Sequence, residues 1–350
     1  MVAFLKSLFR QKTLKTVTVQ PFERHFEIRG SETLLEAALL NQVPFPHNCT
    51  VGTCAACKCR LVSGRVKAIT DFGYTLSRQE LEAGYILACQ SVPKSDVRIA
   101  VDMSVQQARR RVEGRVVAQE RLTHDITRLL LQLDASLPYK SGQYANLAIE
   151  ALPGVVRSYS FASPPQADAK VSFFVRRVAD GRFSSFVHEH NLLGERVSLE
   201  GPLGDFWLRQ GAAPLLLIAG GSGLAPILAL LQEALASGVT RSLTLLFGAR
   251  EERDLYALEE ISAIAAQWRG PFRFLPVLSA LPADAPWQGA RGLVTEHLAQ
   301  VLEPGAHAYL CGPPAMIDAA VAQLVRHGVA RAHIHADRFT TQQDTLAASA

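Results

Sequence analysis

Four of the chain's six cysteines fall within residues 49–59, which read CTVGTCAACKC. Cys49, Cys54 and Cys57 follow the spacing C-x4-C-x2-C, and Cys89 comes later, in YILACQS. Thiols at this density serve a disulfide staple, a zinc site or an iron–sulfur cluster. The staple is the weakest of the three. Lys6 interrupts the apolar start MVAFLKSLFR and no small-residue cleavage site follows, so the cytoplasm, where thiols stay reduced, is the expected compartment. Structural zinc most often draws two close pairs of ligands, or Cys and His together. Three thiolates from one tight loop and a fourth from a distant strand end is instead the plant-type [2Fe–2S] spacing. Cys49, Cys54, Cys57 and Cys89 are therefore the candidate metal ligands, and Gly52, Thr53, Ala55 and Ala56 are small enough for loop amides to approach the sulfurs. Cys59, two positions past a ligand on an expected strand, reads as a buried packing thiol. A zinc-stabilised binding module without redox activity is the alternative of another class.

Two further stretches suit phosphate groups. RSYS, Arg157 to Ser160, is by itself only a strand with outward-facing side chains. It gains meaning from FFVRRVADGRFSS, where Gly181 and Ser184 stand at a turn that opens a helix. Backbone N–H groups there suit a pyrophosphate, and Arg157 suits one of its oxygens. In IAGGSGLAPI, Gly220, Gly221, Ser222 and Gly223 separate a strand from a helix that carries Ala225 and Pro226 near its start. The turn departs from G-x-G-x-x-G, yet it still aims N–H donors at a dinucleotide phosphate, and a proline there gives up a donor that would be unpaired anyway. HEH at 188–190 is not a metal site, because residues i and i+2 do not face each other on a helix; a solvated helix surface is expected.

The elements that must hold these residues divide the chain. At 350 residues it is long enough for two or three domains, and its 48% apolar and 19% charged composition is that of a soluble globular protein. No apolar run approaches the ~20 residues of a membrane span. Residues 16–103 alternate as a small β-rich domain, with the helix SETLLEAALLNQ capped by Ser31 or Thr33 and carrying Glu36 in its first turn. Residues 104–111 form a charged linker. Residues 112–210 contain EGRVVAQERL, ITRLLLQL, QYANLAI, VRSYSFAS and VSFFVRRV, the strands of an antiparallel barrel. Residues 211–340 alternate strand and helix as a doubly wound parallel sheet, and 341–350 form a disordered tail.

The net charge of +4 gathers in the leader and around Arg109, Arg110, Arg111 and Arg115. No nucleic-acid-binding pattern accompanies it. Residues 1–15 allow two readings: a frayed N-terminus, or a short helix whose Val2, Leu5, Leu8 and Phe9 rest on a membrane surface.

FPHNCTVGTCAACKCRLVSGRV with GYILACQSVP resembles the ferredoxin domain of the NADH-dependent reductase components of bacterial multicomponent oxygenases, within the ferredoxin-NADP reductase superfamily, and the likeness runs over nearly the whole chain. It implies a plant-type β-grasp α+β ferredoxin domain, a flavin barrel and a nucleotide domain, with a [2Fe–2S] cluster, FAD and NADH as cofactors. Ala55 stands where many relatives have glycine, and only a slight change in the loop is expected. By the likeness, Arg157 and Ser160 hold the FAD phosphates and Tyr159 packs on the isoalloxazine. Val175, Arg176, Gly181, Arg182, Phe183 and Ser184 complete the cradle, and GPLGDF at 201–206 is similar to the segment that closes the barrel. YLCGPPAM brings Cys311 beside the nicotinamide, with Gly312, Pro313 and Met316 around it, and Phe339 lies near the flavin. Arg250 lies near the adenosine, where Glu251 and Glu252 disfavour a 2′-phosphate and favour NADH. The implied reaction draws a hydride from NADH and delivers single electrons, through flavin and cluster, to a terminal oxygenase or hydroxylase. One such acceptor is a membrane-bound diiron hydroxylase, reached through the leader; a Rieske dioxygenase, a desaturase or a deoxysugar dehydratase would use the same relay.

Overall fold

A computed structural model describes residues 14–339, except Phe22, Arg29, Pro44, residues 48–51, Thr53, Cys54, Ser77, residues 102–109 and Ala283. Residues 1–13 of the leader, most of the linker and the tail read from the sequence thus lie outside the described residues, and Lys15, the last residue of the expected leader, belongs to the first strand instead. The chain divides into two units, Met1–Gln107 and Ala108–Ala350.

In the first unit, β1 (Lys15–Gln20), β2 (Arg24–Ile28), β3 (Lys58–Ser63), β5 (Tyr85–Leu87) and β7 (Val97–Ala100) form a sheet in the order β2-β1-β7-β3-β5. β1 and β7 run parallel; the other neighbours are antiparallel. β4 (Val66–Ala68) and β6 (Ser91–Pro93) make a separate ribbon, and a short helix α2 (Arg78–Glu82) precedes β5. The helix α1 (Leu34–Leu40) starts as its sequence predicts. Thr33 Oγ1 accepts from the Glu36 amide at 3.2 Å, and the Glu36 carboxylate accepts from the Thr33 amide at 2.9 Å. This reciprocal cap fixes the helix so that Leu34, Leu35, Ala37 and Ala38 pack on Val17, Val19, Ile28 and Ile99 in a core belonging to this unit.

The second unit opens with β8 (Arg110–Arg121), β9 (Ile126–Leu133), β10 (Tyr144–Ile149), β11 (Val156–Ser160), β12 (Lys170–Arg176), α3 (Arg182–Glu189) and β13 (Arg196–Leu203). The strands run in the order β11-β10-β13-β8-β9-β12, and a bridge between Phe161 and Phe173 joins the outer two into a barrel. Two expectations need correction. Arg110 and Arg111 are not linker: they begin β8 and pair with Gly201 and Glu200 of β13, and Arg111 Nε donates to Ser198 Oγ at 2.8 Å. β13 has no counterpart among the expected strands, although it sits between β10 and β8, and its last residues, Gly201 to Leu203, are the first half of GPLGDF.

A fully parallel sheet follows: β14 (Leu215–Gly220), α4 (Leu224–Ala236), β15 (Leu243–Ala249), α5 (Leu258–Gln267), β16 (Phe272–Leu278), β17 (Ala290–Arg291), α6 (Leu298–Val301), β18 (His307–Gly312), α7 (Pro314–Arg326) and β19 (Ile334–Arg338). Its order is β17-β16-β15-β14-β18-β19. The chain winds one way from β14 to β17 and the other way from β18 to β19, so the crevice for a ligand lies at the carboxyl ends of β14 and β18. The barrel and this sheet share a core, in which Ile126, Ala162, Phe174 and Phe206 pack with Leu224, Ile227 and Leu228 of α4. Among the described residues, no helix is long and apolar enough to cross a membrane.

Candidate cofactor sites

Cys57 lies just before β3, and Cys89 lies in the short helical turn after β5; β3 and β5 are hydrogen-bonded neighbours. This pairing closes the long separation in sequence: the two Sγ atoms stand 3.2 Å apart, and the Cys89 amide points at Cys57 Sγ at 3.4 Å. Two thiolates on one tetrahedral metal with ~2.3 Å bonds lie about 3.7 Å apart, so the pair fits a shared ion with a small outward shift. Both thiols are buried, and an amide aimed at sulfur is the donor a metal thiolate needs. Cys49 and Cys54 lie outside the described residues. Gly52 explains part of the loop's composition. It has φ +84°, and a Cβ there would meet Gln90 Cγ at 2.6 Å, one residue from Cys89. Ala55 also has positive φ, +54°, a conformation in which glycine is easier.

Cys59 points into the core of the same unit, fully buried. Burial, and secondarily Cys57, push its thiol well above its ordinary pKa, so it stays protonated.

On the barrel, Tyr159 and Ser160 pair with Ala145 and Tyr144 of β10. The Tyr159 ring lies 5.2 Å from that of Phe183, which brings the RSYS strand and the start of α3 together. Burial raises the Tyr159 hydroxyl pKa, so the phenol is neutral throughout the ordinary pH range. Ser160 is buried, and Arg157 is half-buried with Nη1 donating to the Val156 carbonyl at 2.7 Å. α3 has Gly181 at its cap and no side-chain cap, so its first amides remain available to an anion. A Cβ on Gly181 would run into Ser184 Oγ and come within 2.5 Å of Val178 Cγ2. Ser184 is less free than expected: its hydroxyl donates to the Gly181 carbonyl and accepts from the Val178 amide, each at 3.2 Å. Arg182 is exposed, and Val175 is fully buried behind the strand. These uncapped amides, with Tyr159 beside them against Phe183, have the donor chemistry a flavin diphosphate requires.

Gly220 to Gly223 form the tight turn between β14 and α4, and Gly223 caps α4 without any side chain. A Cβ on Gly223 would strike the Cys311 carbonyl, and one on Gly220 would meet Met316 Sδ at 2.6 Å. The turn therefore packs against YLCGPPAM as the two strand ends adjoin. Ala225 and Pro226 are buried in the first turn of α4, while Ser222 is half-buried and Pro313 exposed. Cys311 is buried, and its thiol is pushed well above its ordinary pKa by burial and then by Asp337, which makes it a poor nucleophile. The Phe339 amide donates to the Gly312 carbonyl at 2.9 Å, which brings the end of β19 to the same crevice. Arg250 is exposed, and its Nε lies 3.7 Å from Asp254. Glu251 pairs with Arg253 at 2.9 Å, while Glu252 is exposed.

The expectation for HEH is corrected at its first histidine. His188 is buried, and its ring lies 3.3 Å from Thr127 Oγ1; burial and the nearby Arg121 and Arg177 lower its pKa. His190 is exposed and stacks on Phe186 at 4.3 Å. One residue without an individual role among the motifs reaches the dinucleotide turn directly, and a second holds an arginine that lies beside it. Tyr256 donates its hydroxyl to the Gly221 carbonyl at 2.9 Å, and Asp125 accepts from Arg176 Nε at 2.9 Å.

Comparison with known proteins agrees with this geometry. Residues 17–94 match the 2Fe-2S iron–sulfur cluster binding domain family, 113–207 the oxidoreductase FAD-binding domain family and 217–322 the oxidoreductase NAD-binding domain family. The chain is 41% identical to the xylene/toluene monooxygenase electron transfer component XylA of Pseudomonas putida, covering 96% of each. It is 37% identical to the reductase component of the naphthalene 1,2-dioxygenase/salicylate 5-hydroxylase systems of a Ralstonia species, over 92% of this chain and 98% of that one. Among solved structures, the Amycolatopsis cytochrome P450 reductase GcoB superimposes with a TM-score of 0.70 at 34% identity, covering 93% of this chain and 99% of that one. These matches leave no room for a zinc module without redox activity.

Proposed function

We propose a specific task for this chain, which belongs to the ferredoxin–NAD(P) reductase components of bacterial multicomponent oxygenases. Such a component passes electrons from NAD(P)H through FAD and a [2Fe–2S] cluster to an oxygenase. Our reading is narrower: the donor is NADH and the acceptor is the terminal hydroxylase of a monooxygenase. The likeness to XylA along the length of both chains carries this reading. The acidic pair Glu251 and Glu252, near Arg250 in the strand-end loop after β15, supports NADH, because carboxylates repel a 2′-phosphate.

The residues proposed for each group follow from the sites above. Cys49, Cys54, Cys57 and Cys89 hold the cluster. Arg157, Tyr159, Ser160 and the Gly181–Ser184 turn hold FAD. The turn from Gly220 to Gly223, with Cys311, Gly312 and Met316, holds the nicotinamide nucleotide. FAD held by these residues would supply the chemistry that matches a two-electron donor to a one-electron carrier. The protein's part is to orient and seal. Neutral Tyr159 offers an apolar ring face, protonated Cys311 presents a small buried surface beside the crevice, and Phe339 is tied to Gly312 at its rim. The proposed domain limits remain 16–103, 112–210 and 211–340, with β8 extending two residues into the linker.

The test is turnover with the partner hydroxylase. NADH is expected to drive hydroxylation of an aromatic hydrocarbon with a clearly higher kcat/KM than NADPH, because the carboxylates of Glu251 and Glu252 repel a 2′-phosphate as like charges. Equal use of both nucleotides would refute the NADH assignment. Turnover only with a dioxygenase would favour the second reading, which the Ralstonia relative supports. We further propose that residues 1–15 bring the protein to the membrane of a diiron hydroxylase. Co-sedimentation with anionic liposomes should fall when they are removed, and equal recovery in the supernatant with and without them would end the idea.

A further inference from the structure

Arg176 ends the barrel strand β12, and its guanidinium lies against the dinucleotide turn. Its Nη1 stands 3.2 Å from the position a Cβ would occupy on Gly221, a residue with φ +54°. No protein group takes either Nη among the described residues. The contact that sets this reach is at the other edge: Nε donates to Asp125 Oδ2 at 2.9 Å.

Asp125 is itself firmly placed. It lies in the turn between β8 and β9, where Thr123 Oγ1 donates to Asp125 Oδ1 at 3.0 Å and accepts from the amides of Asp125 and Ile126 at 3.2 and 3.0 Å. The Asp125 carbonyl accepts from the Arg177 amide at 2.7 Å, which ties the turn to the end of β12. One carboxylate oxygen thus belongs to the turn and the other to Arg176. On the far side, Tyr256 occupies the Gly221 carbonyl at 2.9 Å. With that acceptor occupied, the turn offers donors, and the unpaired guanidinium edge adds positive charge beside them. A diphosphate is the chemistry that fits.

We propose that Asp125 is a positioning residue for the pyridine nucleotide, holding Arg176 so that the free edge of its guanidinium joins the amides of residues 220–223 on the nucleotide's pyrophosphate. The proposal rests on the reading that NADH binds at this turn. Asp125 acts through the direction of one side chain, and Arg176 thereby serves the nucleotide turn rather than the flavin cradle that the resemblance implied. Losing the charge of Asp125 leaves Arg176 with a weaker anchor and more rotamers to restrict on binding, so binding should suffer more than the chemical step.

The test uses the full chain loaded with flavin and cluster, with ferricyanide as acceptor. Asp125→Asn is expected to raise the KM for NADH about tenfold, the size of a lost hydrogen bond to a charged group, with kcat within about twofold. Calorimetric titration with NAD+ should weaken by a similar factor, and flavin content and melting temperature should stay unchanged. Asp125→Glu should recover most of the affinity. In an Arg176→Gln background, Asp125→Asn should add nothing, because the two act as a unit. Unchanged KM and NAD+ affinity would overturn the proposal. So would independent, additive effects of the two substitutions, or a parallel loss of kcat, flavin and melting temperature, which would mark Asp125 as scaffold only. A wild-type protein that binds flavin but neither oxidises NADH nor binds NAD+ would refute the underlying site reading, and this proposal with it.

Discussion

Cys57 and Cys59 are the same residue two positions apart, and their surroundings separate their chemistry. Cys57 meets Cys89 across neighbouring strands, whereas Cys59 points into the core with its thiol held protonated by burial. Two thiols within reach of one ion suit the proposed shared metal ligation, whereas a thiol packed among apolar side chains suits packing. Cys57→Ser should therefore abolish the iron–sulfur absorption and the iron content while FAD remains bound. Cys59→Ala should keep both cofactors and cost about 1 kcal/mol of stability, as for the loss of one small buried group. Iron analysis and visible spectra decide between them; loss of iron in the Cys59 variant would make that thiol a ligand.

β19 and the turn that leads into it carry stacked rings that give the nucleotide sheet a pH dependence. His335 stacks on Tyr309 of β18 at 4.8 Å, and His333 stacks on His307 at 4.1 Å. Burial, then the positive charges of Arg209, His307 and His333, lower the His335 pKa to about 4. The folded protein keeps this ring neutral, while the unfolded chain takes up a proton below its ordinary pKa of about 6.5. Stability from this group is therefore complete above about pH 6.5 and is lost as pH falls from there toward 4. The melting temperature should decline across that window, and His335→Gln should flatten the decline. Because the Phe339 amide at the end of this strand bonds Gly312, loosening of β19 would disturb the crevice before the rest of the sheet. An unchanged slope in the variant would assign the pH dependence elsewhere.

Apolar packing divides the chain in two, although the sequence suggests three domains. The first unit has its own core, centred on Val17, Ile28, Leu34 and Ile99. The barrel and the nucleotide sheet instead share one, with Phe174 and Phe206 packed against α4, and Arg128 of the barrel pairs with Glu260 of α5. A fragment of residues 108–350 should therefore fold, bind FAD and reduce ferricyanide with NADH, without iron absorption. A fragment of 211–340 should not fold stably, because its α4 face would be exposed. Circular dichroism and gel filtration of both fragments check this; a stable 211–340 fragment would show that the shared core is dispensable.

Short-range signals made much of this protein legible in its residues. The C-x4-C-x2-C loop, the Thr33–Glu36 cap and the glycine turn all act within a few positions, where spacing maps directly onto geometry. Period-2 alternation marks most barrel strands; in β13 it covers only Arg196 to Glu200 before Gly201 and Pro202, too short a stretch to stand out. β16 escaped for a similar reason: it is mostly half-buried and contains Pro276. Relations across the chain were not legible. Period arguments placed His188 on a solvated helix face, but Thr127 of the neighbouring barrel strand buries it. Asp125 and Arg176 are 51 residues apart, and only the pairing of β9 with β12 brings them together. Residue types and local spacing determine which cofactors a chain can hold, since ligand chemistry is a property of side chains. Which thiol is a ligand, which arginine reaches the nucleotide turn and which domains share a core depend on strand pairing and burial, and those exist only once the chain has folded.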